Sequence, residues 1–122
     1  AYVRDFPQGQ FVEDARYLAA MADLAEGRAT EAERQVLAYL KDYPDGRFLA
    51  DARYRLAAIA YARQDYAGAA DLSEKWLAAF PPEHPQRGEI HSLHGDALAG
   101  LNKIEEAIVA YHSALALPLS DE

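Results

Sequence analysis

The chain has 122 residues, 51% of them hydrophobic, with no cysteine and a formal net charge of −8. This length suits one domain with a packed interior, and the lack of cysteine excludes a disulfide framework, a thiolate zinc site and a cysteine nucleophile. The negative charge disfavours nucleic acid and anionic membrane surfaces, and no apolar run is long enough for direct membrane insertion.

Evenly spaced prolines divide the chain into repeats. Four prolines lie 37 residues apart: Pro7, Pro44, Pro81 and Pro118. The tetrapeptide Asp-Ala-Arg-Tyr that ends at Tyr17 returns unchanged with its end at Tyr54. A fixed period of this size is typical of stacked supersecondary units, so we predict a single repeat domain over residues 1–122 of a longer protein. Residues 1–6 are predicted to be the end of a truncated preceding helix, and residues 118–122 a tail. The three repeats between them span residues 7–43, 44–80 and 81–117.

Each repeat has the pattern of two helices joined by a turn. Apolar residues recur at three- and four-residue steps in both halves of each repeat. The pattern breaks at three places: Gly27, Gln64-Asp65 and Leu101-Asn102. The predicted helices span 11–26, 30–43, 48–63, 66–80, 86–100 and 103–117. Thr30 and Glu33 have the spacing of a capping box, which predicts the start of the second helix.

Small residues recur 12 positions apart within each repeat. The pairs are Ala20 and Ala32, Ala57 and Ala69, and Gly95 and Ala107. Two antiparallel helices joined by a tight turn approach most closely near that turn, where a small side chain on each helix lets the backbones come together. The spacing therefore predicts close helix pairing in every repeat.

These residues resemble the tetratricopeptide repeat, a helical hairpin with small paired residues and a proline after its second helix. The third repeat matches best, through Gly95, Ala107, Tyr111, Ala114 and Leu115. The second repeat matches at Leu56, Ala57, Tyr61, Tyr66, Ala69 and Pro81, and the first at Ala20, Gly27, Ala32 and Pro44. The resemblance implies an all-α fold, a right-handed α-solenoid of three stacked antiparallel helical hairpins.

A loop motif suggests a narrower resemblance. The 37-residue period and the loop Tyr-Pro-x-Gly-x-Phe, which ends at Phe48, are similar to bacterial envelope repeat proteins. The types concerned are the Tol-Pal-associated periplasmic protein and the outer-membrane assembly lipoproteins. The resemblance implies a location in the periplasm or cell envelope, and a cytoplasmic location is the alternative. The third loop, residues 81–88, lacks the Gly-x-Phe element.

The resemblance also implies a concave groove, lined by the first helix of each repeat, that holds a peptide. The matching positions are Asp14, Tyr17, Met21, Leu24, Asp51, Tyr54, Ala58, Tyr61, Glu89, Ser92 and Asp96. Tyrosines suit binding surfaces, and carboxylates beside them favour a cationic or amide-rich ligand. Some family members clamp a terminal carboxylate with Lys and Asn, which this chain does not place there. The alternative is that Tyr17 and Tyr54 pack between repeats.

Basic and histidine side chains leave further alternatives open. Arg16 and Arg53 recur at equivalent positions, either as anion contacts or as ion pairs between repeats whose stems cover apolar surface. His91 and His94 are three apart on a predicted helix and supply half of a tetrahedral metal site, without a third ligand fixed by spacing. His84 and His112 are expected at the surface.

No catalytic motif is present in the sequence. The serines lie in no nucleophile motif, no Gly-rich phosphate loop occurs, and no carboxylate pair is singled out. We therefore predict no enzyme activity, no metal and no cofactor. The first hypothesis is a peptide- or protein-binding module with a basic or apolar partner. The second is a structural spacer or a self-assembly segment of a larger bacterial envelope complex, with self-association through the open ends of the solenoid. A third is an accessory domain of a larger enzyme.

Overall fold

The computed structural model describes residues 8–116, with the side chains of residues 11–116. Six helices occur in this range and no strand does. They are α1 (Gln8–Ala25), α2 (Ala29–Asp42), α3 (Leu49–Ala62), α4 (Tyr66–Ala79), α5 (Arg87–Gly100) and α6 (Ile104–Leu115). The predicted all-α helical repeat fold is confirmed, with helix ends that differ by up to three residues from those expected. The calls on residues 1–6 and 118–122 lie outside the described residues.

The chain forms two compact units, Ala1–Ala52 and Arg53–Glu122. Compact unit 1 holds α1, α2 and the first residues of α3, and α1 packs against α2. Compact unit 2 holds the rest of α3 and α4 to α6, where α5 packs against both α4 and α6. The predicted small pairs lie inside: Ala20, Ala32, Ala57, Ala69, Gly95 and Ala107 are all buried. Close pairing of the helices follows from these residues, because a larger side chain would hold the backbones apart.

The same backbone turn joins the two helices of all three hairpins. A residue with positive φ stands at each turn: Gly27 at 83°, Gln64 at 65° and Asn102 at 65°. The next N–H bonds to the carbonyl five residues back at 2.9 Å each time: Arg28 to Asp23, Asp65 to Ala60, and Lys103 to Leu98. This is the Schellman motif, which satisfies the last carbonyls of a helix through one left-handed residue. The three predicted breaks in the pattern are therefore the same structural event.

The turn also explains why the capping-box prediction was wrong. Helix α2 begins at Ala29, and its N-cap is Arg28, which makes no side-chain cap bond. The Ala32 N–H already donates to the Arg28 carbonyl at 2.9 Å, so Thr30 lies within the first helical turn. Because the Schellman motif closes α1 at Gly27, Arg28 and not Thr30 occupies the N-cap position of α2.

We predict that Gln64→Gly raises the free energy of unfolding by about 1 kcal/mol. Gln64 holds a left-handed conformation that costs a residue with a Cβ but not glycine. The first hairpin already has Gly27 at the equivalent position. Urea unfolding followed by circular dichroism measures the effect, and Gln64→Ala, which keeps the Cβ, is the matched control. A lower stability for Gln64→Gly than for Gln64→Ala would contradict this account of the turn.

A buried carboxylate holds the Pro-x-Gly-x-Phe loop of compact unit 1. Glu13 is only 8% exposed and accepts hydrogen bonds from the Tyr39 hydroxyl at 2.6 Å and the Arg47 N–H at 2.7 Å. The Tyr39 hydroxyl also accepts from the Phe48 N–H at 3.0 Å. Burial, and then the bond to Glu13, raise the pKa of Tyr39 to about 12. This network ties α1, the end of α2 and the loop together.

An aromatic cluster occupies the corresponding place in compact unit 2. Trp76, whose side chain is fully buried, lies 4.7 Å from the Phe80 ring and 5.0 Å from the His84 ring between centroids. His84 was expected at the surface, but it is half-buried because its ring meets the tryptophan ring edge-on. The Arg87 guanidinium donates to the carbonyls of Phe80 and Leu77 at 3.2 and 3.4 Å. The end of α4 is thereby joined to the start of α5.

Candidate functional site

In compact unit 1, the predicted groove residue Tyr17 is buried. Its side chain is 3% exposed, and its ring stacks on Phe48 with centroids 4.6 Å apart and planes at 9°. Its hydroxyl donates to the carboxylate of Asp51, another predicted groove residue. Phe48 and Asp51 belong to the second repeat, so Tyr17 packs between the first and second repeats. This placement corresponds to the alternative interpretation of that tyrosine.

The other predicted groove residues of compact unit 1 are partly exposed. The carboxylate of Asp14 pairs with the Arg47 guanidinium at 2.7 Å. Met21 and Leu24 are half-buried on the following turns of α1. These side chains keep some access to solvent, but the acid at Asp14 is already paired within the chain.

In compact unit 2, one depression collects four of the predicted residues. It has a volume of about 350 Å³ and is lined by Tyr54, Gly88, Glu89, Ser92, Leu93 and Asp96. Tyr54 stands on α3 and the others on α5. Glu89 and Ser92 are exposed, while Tyr54 and Asp96 are half-buried. The depression therefore combines an aromatic ring, an apolar floor at Leu93, a hydroxyl and two carboxylates.

The remaining predicted residues of α3 do not line this depression. Tyr61 packs against the alanine- and leucine-rich core of compact unit 2, and its ring lies 5.5 Å from the Tyr66 ring. Ala58 is half-buried. Tyr61 thus contributes to the core as well as to the surface of α3.

A residue that the sequence did not single out for the site positions Asp96. The Tyr111 hydroxyl on α6 donates to Asp96 Oδ1 at 2.5 Å. This bond, and then burial, raise the pKa of Tyr111 to about 12. The Tyr111 ring lies on Gly95, where an added Cβ would come within 2.6 Å of its Cε1 atom. Gly95 leaves room for the Tyr111 ring, and the Tyr111 hydroxyl orients the Asp96 carboxylate that lines the depression.

The depression exists where the third repeat departs from the second. Phe48 lies 31 positions after Tyr17 and Asp51 lies 34 positions after it, and both side chains cover that tyrosine. The residues at the same distances after Tyr54 are Pro85 and Gly88. The third repeat therefore has neither an aromatic residue nor an acid at these two positions, and Tyr54 lines the depression together with Glu89 and Asp96. Comparison of these two spacings is the sequence signal by which the depression could have been found.

The recurring arginines make local contacts. Arg16 forms an ion pair with Asp42 at 2.6 Å, within the first repeat and not between repeats, and this bond raises the Arg16 pKa. Its guanidinium carbon lies 5.6 Å from the centroid of the Tyr43 ring. Arg53 lies 5.6 Å from the Phe80 ring in the same way. The contact that recurs is a cation–π interaction with the aromatic residue at the end of the second helix.

The histidines of α5 are not brought together with further ligands. His94 Nε2 lies 3.2 Å from Glu74 Oε2, while burial, with smaller effects of Arg87 and His94, lowers the pKa of His91. Within residues 8–116, no group of three or more His, Cys, Asp or Glu side chains could hold a metal ion.

None of the helices in that part of the chain has both the length and the apolar character required to cross a membrane.

Comparison with known proteins agrees with this repeat architecture. Residues 2–120 match the family model described as a tetratricopeptide repeat-like domain. A search of curated proteins found no significant match. The family match extends over nearly the whole chain, and the helical hairpins with their buried small pairs provide the structural counterpart. The chain therefore belongs to the family of tetratricopeptide repeat-like domains.

Proposed function

We propose that the chain is a non-catalytic protein-interaction module that holds a segment of a protein partner at the depression of compact unit 2. The observation that carries the proposal is the convergence of Tyr54, Glu89, Ser92 and Asp96 around one cavity. Tetratricopeptide repeat-like domains generally act as scaffolds for protein partners, and the described residues offer no assembled catalytic group. The depression is open and shallow, which suits a side chain of a partner better than an enclosed small molecule.

The residues have distinct roles in this proposal. Tyr54 supplies contact area and a polar tip, and Leu93 supplies an apolar floor. Glu89, Ser92 and Asp96 accept hydrogen bonds from the partner. In compact unit 1 the proposed contact residues are Asp14, Met21 and Leu24, while Tyr17 and Asp51 support them from inside. Ala58 and Tyr61 extend the contact surface along α3.

We predict that Tyr54→Ala weakens binding of a selected peptide at least about tenfold while the fold survives. Peptides are first selected from a random displayed library on the 122-residue chain, and their affinity is then measured by fluorescence anisotropy. Tyr61→Ala tests the adjoining surface, with a thermal melt to account for its core contacts. Leu37→Ala, at an exposed site on α2, is the control. Unchanged affinity in a folded Tyr54→Ala variant would show that the depression is not the binding site.

A second candidate function is supported by an apolar face on α6. Four large apolar side chains are exposed there: Ile104, Ile108, Val109 and Leu115. An open end of a repeat array exposes apolar surface that a following unit or another copy can cover. We propose self-association of the chain through this face as the alternative. Sedimentation over a concentration series tests this alternative, and Ile108→Asp is expected to abolish the association. A strict monomer at high concentration would contradict it.

We also propose that the chain acts in the bacterial cell envelope. The support is the 37-residue period together with the Tyr-Pro-x-Gly-x-Phe loop, in which Gly46 leaves room for the Glu13 and Tyr39 side chains. Fractionation of cells that express the full-length protein tests this setting. Recovery in the cytoplasmic fraction alone would contradict it.

A further inference from the structure

We propose that a row of side chains on α6 of one copy of the chain packs on an exposed apolar face of α1 in a second copy. The inference rests on the self-association proposed above as the alternative function, and it names the surface that α6 meets. It is carried by the packing of α4 on α5 inside compact unit 2 and by the exposure of the equivalent residues on α6 and α1.

A row of residues on α4 contacts α5 inside compact unit 2. The Tyr66 ring covers Gly100, where an added Cβ would come within 2.6 Å of the ring. Ala70 is buried and belongs to the same core cluster as Ala97. The Glu74 carboxylate lies 3.2 Å from a histidine nitrogen of α5. Because these α4 residues recur at four-residue steps, they lie on one face of the helix.

The equivalent row on α6 is exposed. Ala107 follows Ala69 by 38 residues, and this distance aligns the third hairpin with the second. The α6 residues at the positions of the α4 row, with Leu115 one turn further, are here called the α6 row: Ile104, Ile108, His112 and Leu115. Ile108 is 48% exposed, whereas Ala70 at the same position of α4 is 6% exposed. The α6 row therefore presents to solvent the positions at which α4 meets the next helix.

The surface of α5 that receives α4 also has an exposed counterpart. Gly95 follows Ala20 by 75 residues, and this distance aligns α5 with α1. On α5, Ile90 and Ala97 are fully buried. The residues of α1 that correspond to positions 90, 93, 94, 97 and 100 are all exposed and are here called the α1 face: Ala15, Leu18, Ala19, Ala22 and Ala25. The first repeat thus presents to solvent an apolar face whose equivalent is largely covered in the third repeat.

The α6 row and the α1 face are complementary in size. Alanine at four of its five positions lets a second helix approach the α1 face closely, as α4 approaches α5 over Gly100. The α6 row supplies the larger side chains, so Ile108 would lie over Ala22 as Ala70 lies over Ala97. The α1 face has no polar side chain, and burial of apolar surface therefore favours the contact. Two α6 rows are less complementary to each other, because large side chains on both helices hold the backbones apart.

A second copy of the chain is the occupant that fits both surfaces. α4 and α6 are the second helices of their hairpins, and α5 and α1 are first helices, so α6 on α1 repeats the helix pair formed by α4 and α5. The contact is heterologous, because each copy uses α6 toward one neighbour and α1 toward another. It joins one helix of each copy and is smaller than a typical stable interface, so the association is expected at high protein concentration.

Sedimentation equilibrium of the 122-residue chain from about 10 μM to about 1 mM tests the proposal. Ile108→Asp in the α6 row and Ala22→Glu in the α1 face are each expected to weaken the association at least about tenfold, because the contact would desolvate the added carboxylate. Both positions are exposed, so the fold is expected to survive, and a thermal melt checks it. A strict monomer in the wild-type chain, or unchanged association in either folded variant, would overturn the proposal.

Two matched controls introduce the same charges elsewhere. Val109 is exposed beside Ile108, but its position corresponds to Asp71, which is exposed on α4. Val109→Asp is therefore expected to leave the association unchanged. Ala67→Glu on α4 is the control for Ala22→Glu, since both alanines are exposed. If a control weakened the association as much as its matched variant, the effect would reduce to added charge and the contact would be wrong.

A mixing experiment tests whether the contact joins two different surfaces. The Ile108→Asp chain keeps an intact α1 face, and the Ala22→Glu chain keeps an intact α6 row. Each variant alone is expected to remain monomeric, whereas an equimolar mixture is expected to form a dimer with one copy of each, because one intact contact is restored. A mixture that stays monomeric at concentrations where the wild-type chain associates would overturn the pairing of α6 with α1.

These outcomes distinguish the inference from the self-association on which it rests. If the wild-type chain associates and Ile108→Asp abolishes the association while Ala22→Glu does not, self-association through α6 stands and the assignment of α1 is wrong. If the wild-type chain is a strict monomer, both are wrong. Binding of the selected peptides is a separate readout, because neither Ile108 nor Ala22 lines the depression beside Tyr54.

Discussion

Gly46→Ala is expected to lower the free energy of unfolding by about 3 kcal/mol, although it adds a single methyl group. An added Cβ would lie 2.5 Å from Glu13 Oε2, 2.5 Å from the Tyr39 hydroxyl oxygen and 2.9 Å from the Tyr43 Cβ. Carbon atoms at such distances overlap with their neighbours, so either the loop or the Glu13–Tyr39 pair must move. Both partners are buried, and their bond closes the network that includes the Arg47 N–H.

The large effect follows from the groups that the methyl group would displace. A carboxylate pushed out of this network leaves the buried Tyr39 hydroxyl and the partly buried Arg47 N–H without this acceptor. Loss of a partner for a buried polar group costs about 1–3 kcal/mol, in addition to the overpacking. Steric exclusion, and not backbone conformation, thus explains the glycine in this loop, because Gly46 is not among the described residues with positive φ.

Gly27→Ala provides the matched comparison. A Cβ at Gly27 would meet no atom within 4 Å, but the residue has a φ of 83°. The expected loss there is about 1 kcal/mol, from backbone strain alone. Urea unfolding of both variants measures the difference, and the double variant Glu13→Ala with Gly46→Ala is expected to lose less than the sum of its parts. Equal losses at the two glycines, or strict additivity with Glu13→Ala, would contradict the steric explanation.

The helices and their turns could be predicted from the sequence because they depend on local patterns. The spacing of apolar residues predicted the ends of the six helices to within a few residues. The interruptions at Gly27, Gln64 and Asn102 are three copies of one turn. The 12-residue spacing of small side chains predicted the buried pairs for the same reason. The start of α2 was predicted to within one residue, but its N-cap is Arg28 and not Thr30, because the preceding turn determines where that helix begins.

The environment of the two identical tetrapeptides could not be predicted from their own sequence. Tyr17 and Tyr54 follow the same three residues, yet Tyr17 is buried and Tyr54 borders a cavity. The difference arises more than 30 residues later in each case, where Phe48 stacks on Tyr17 and the third repeat has Pro85 instead. Such contacts depend on how one repeat packs on the next, and periodicity within a repeat contains no information about them. The Glu13–Tyr39 bond was not predicted either, because it joins two helices of one repeat across 26 residues and leaves no local pattern in the sequence.

Trp76→Ala is expected to have the largest effect in compact unit 2, a loss of about 4 kcal/mol in the free energy of unfolding. The side chain is fully buried, and its removal leaves a cavity between the rings of Phe80 and His84. Trp76→Phe keeps an aromatic ring and is expected to lose less than half as much. Far-UV circular dichroism in urea provides the measurement, since Trp76 is the only tryptophan and its fluorescence disappears with it.

The same substitution links stability to the proposed site. The aromatic cluster precedes Arg87, whose guanidinium joins the last carbonyls of α4 to the first turn of α5. Glu89 lies in that first turn and Ser92 in the next, so a loosened start of α5 should widen the depression before compact unit 2 unfolds. Hydrogen exchange at the Ile90 amide, which bonds to the Gln86 carbonyl at 3.1 Å, is expected to accelerate in Trp76→Ala more than exchange in α6. Uniform acceleration along both helices would show that the cluster stabilises the whole unit without holding the site. A selective effect, together with weaker binding of the selected peptides, would show that the buried tryptophan determines the geometry in which Glu89 and Ser92 meet a partner.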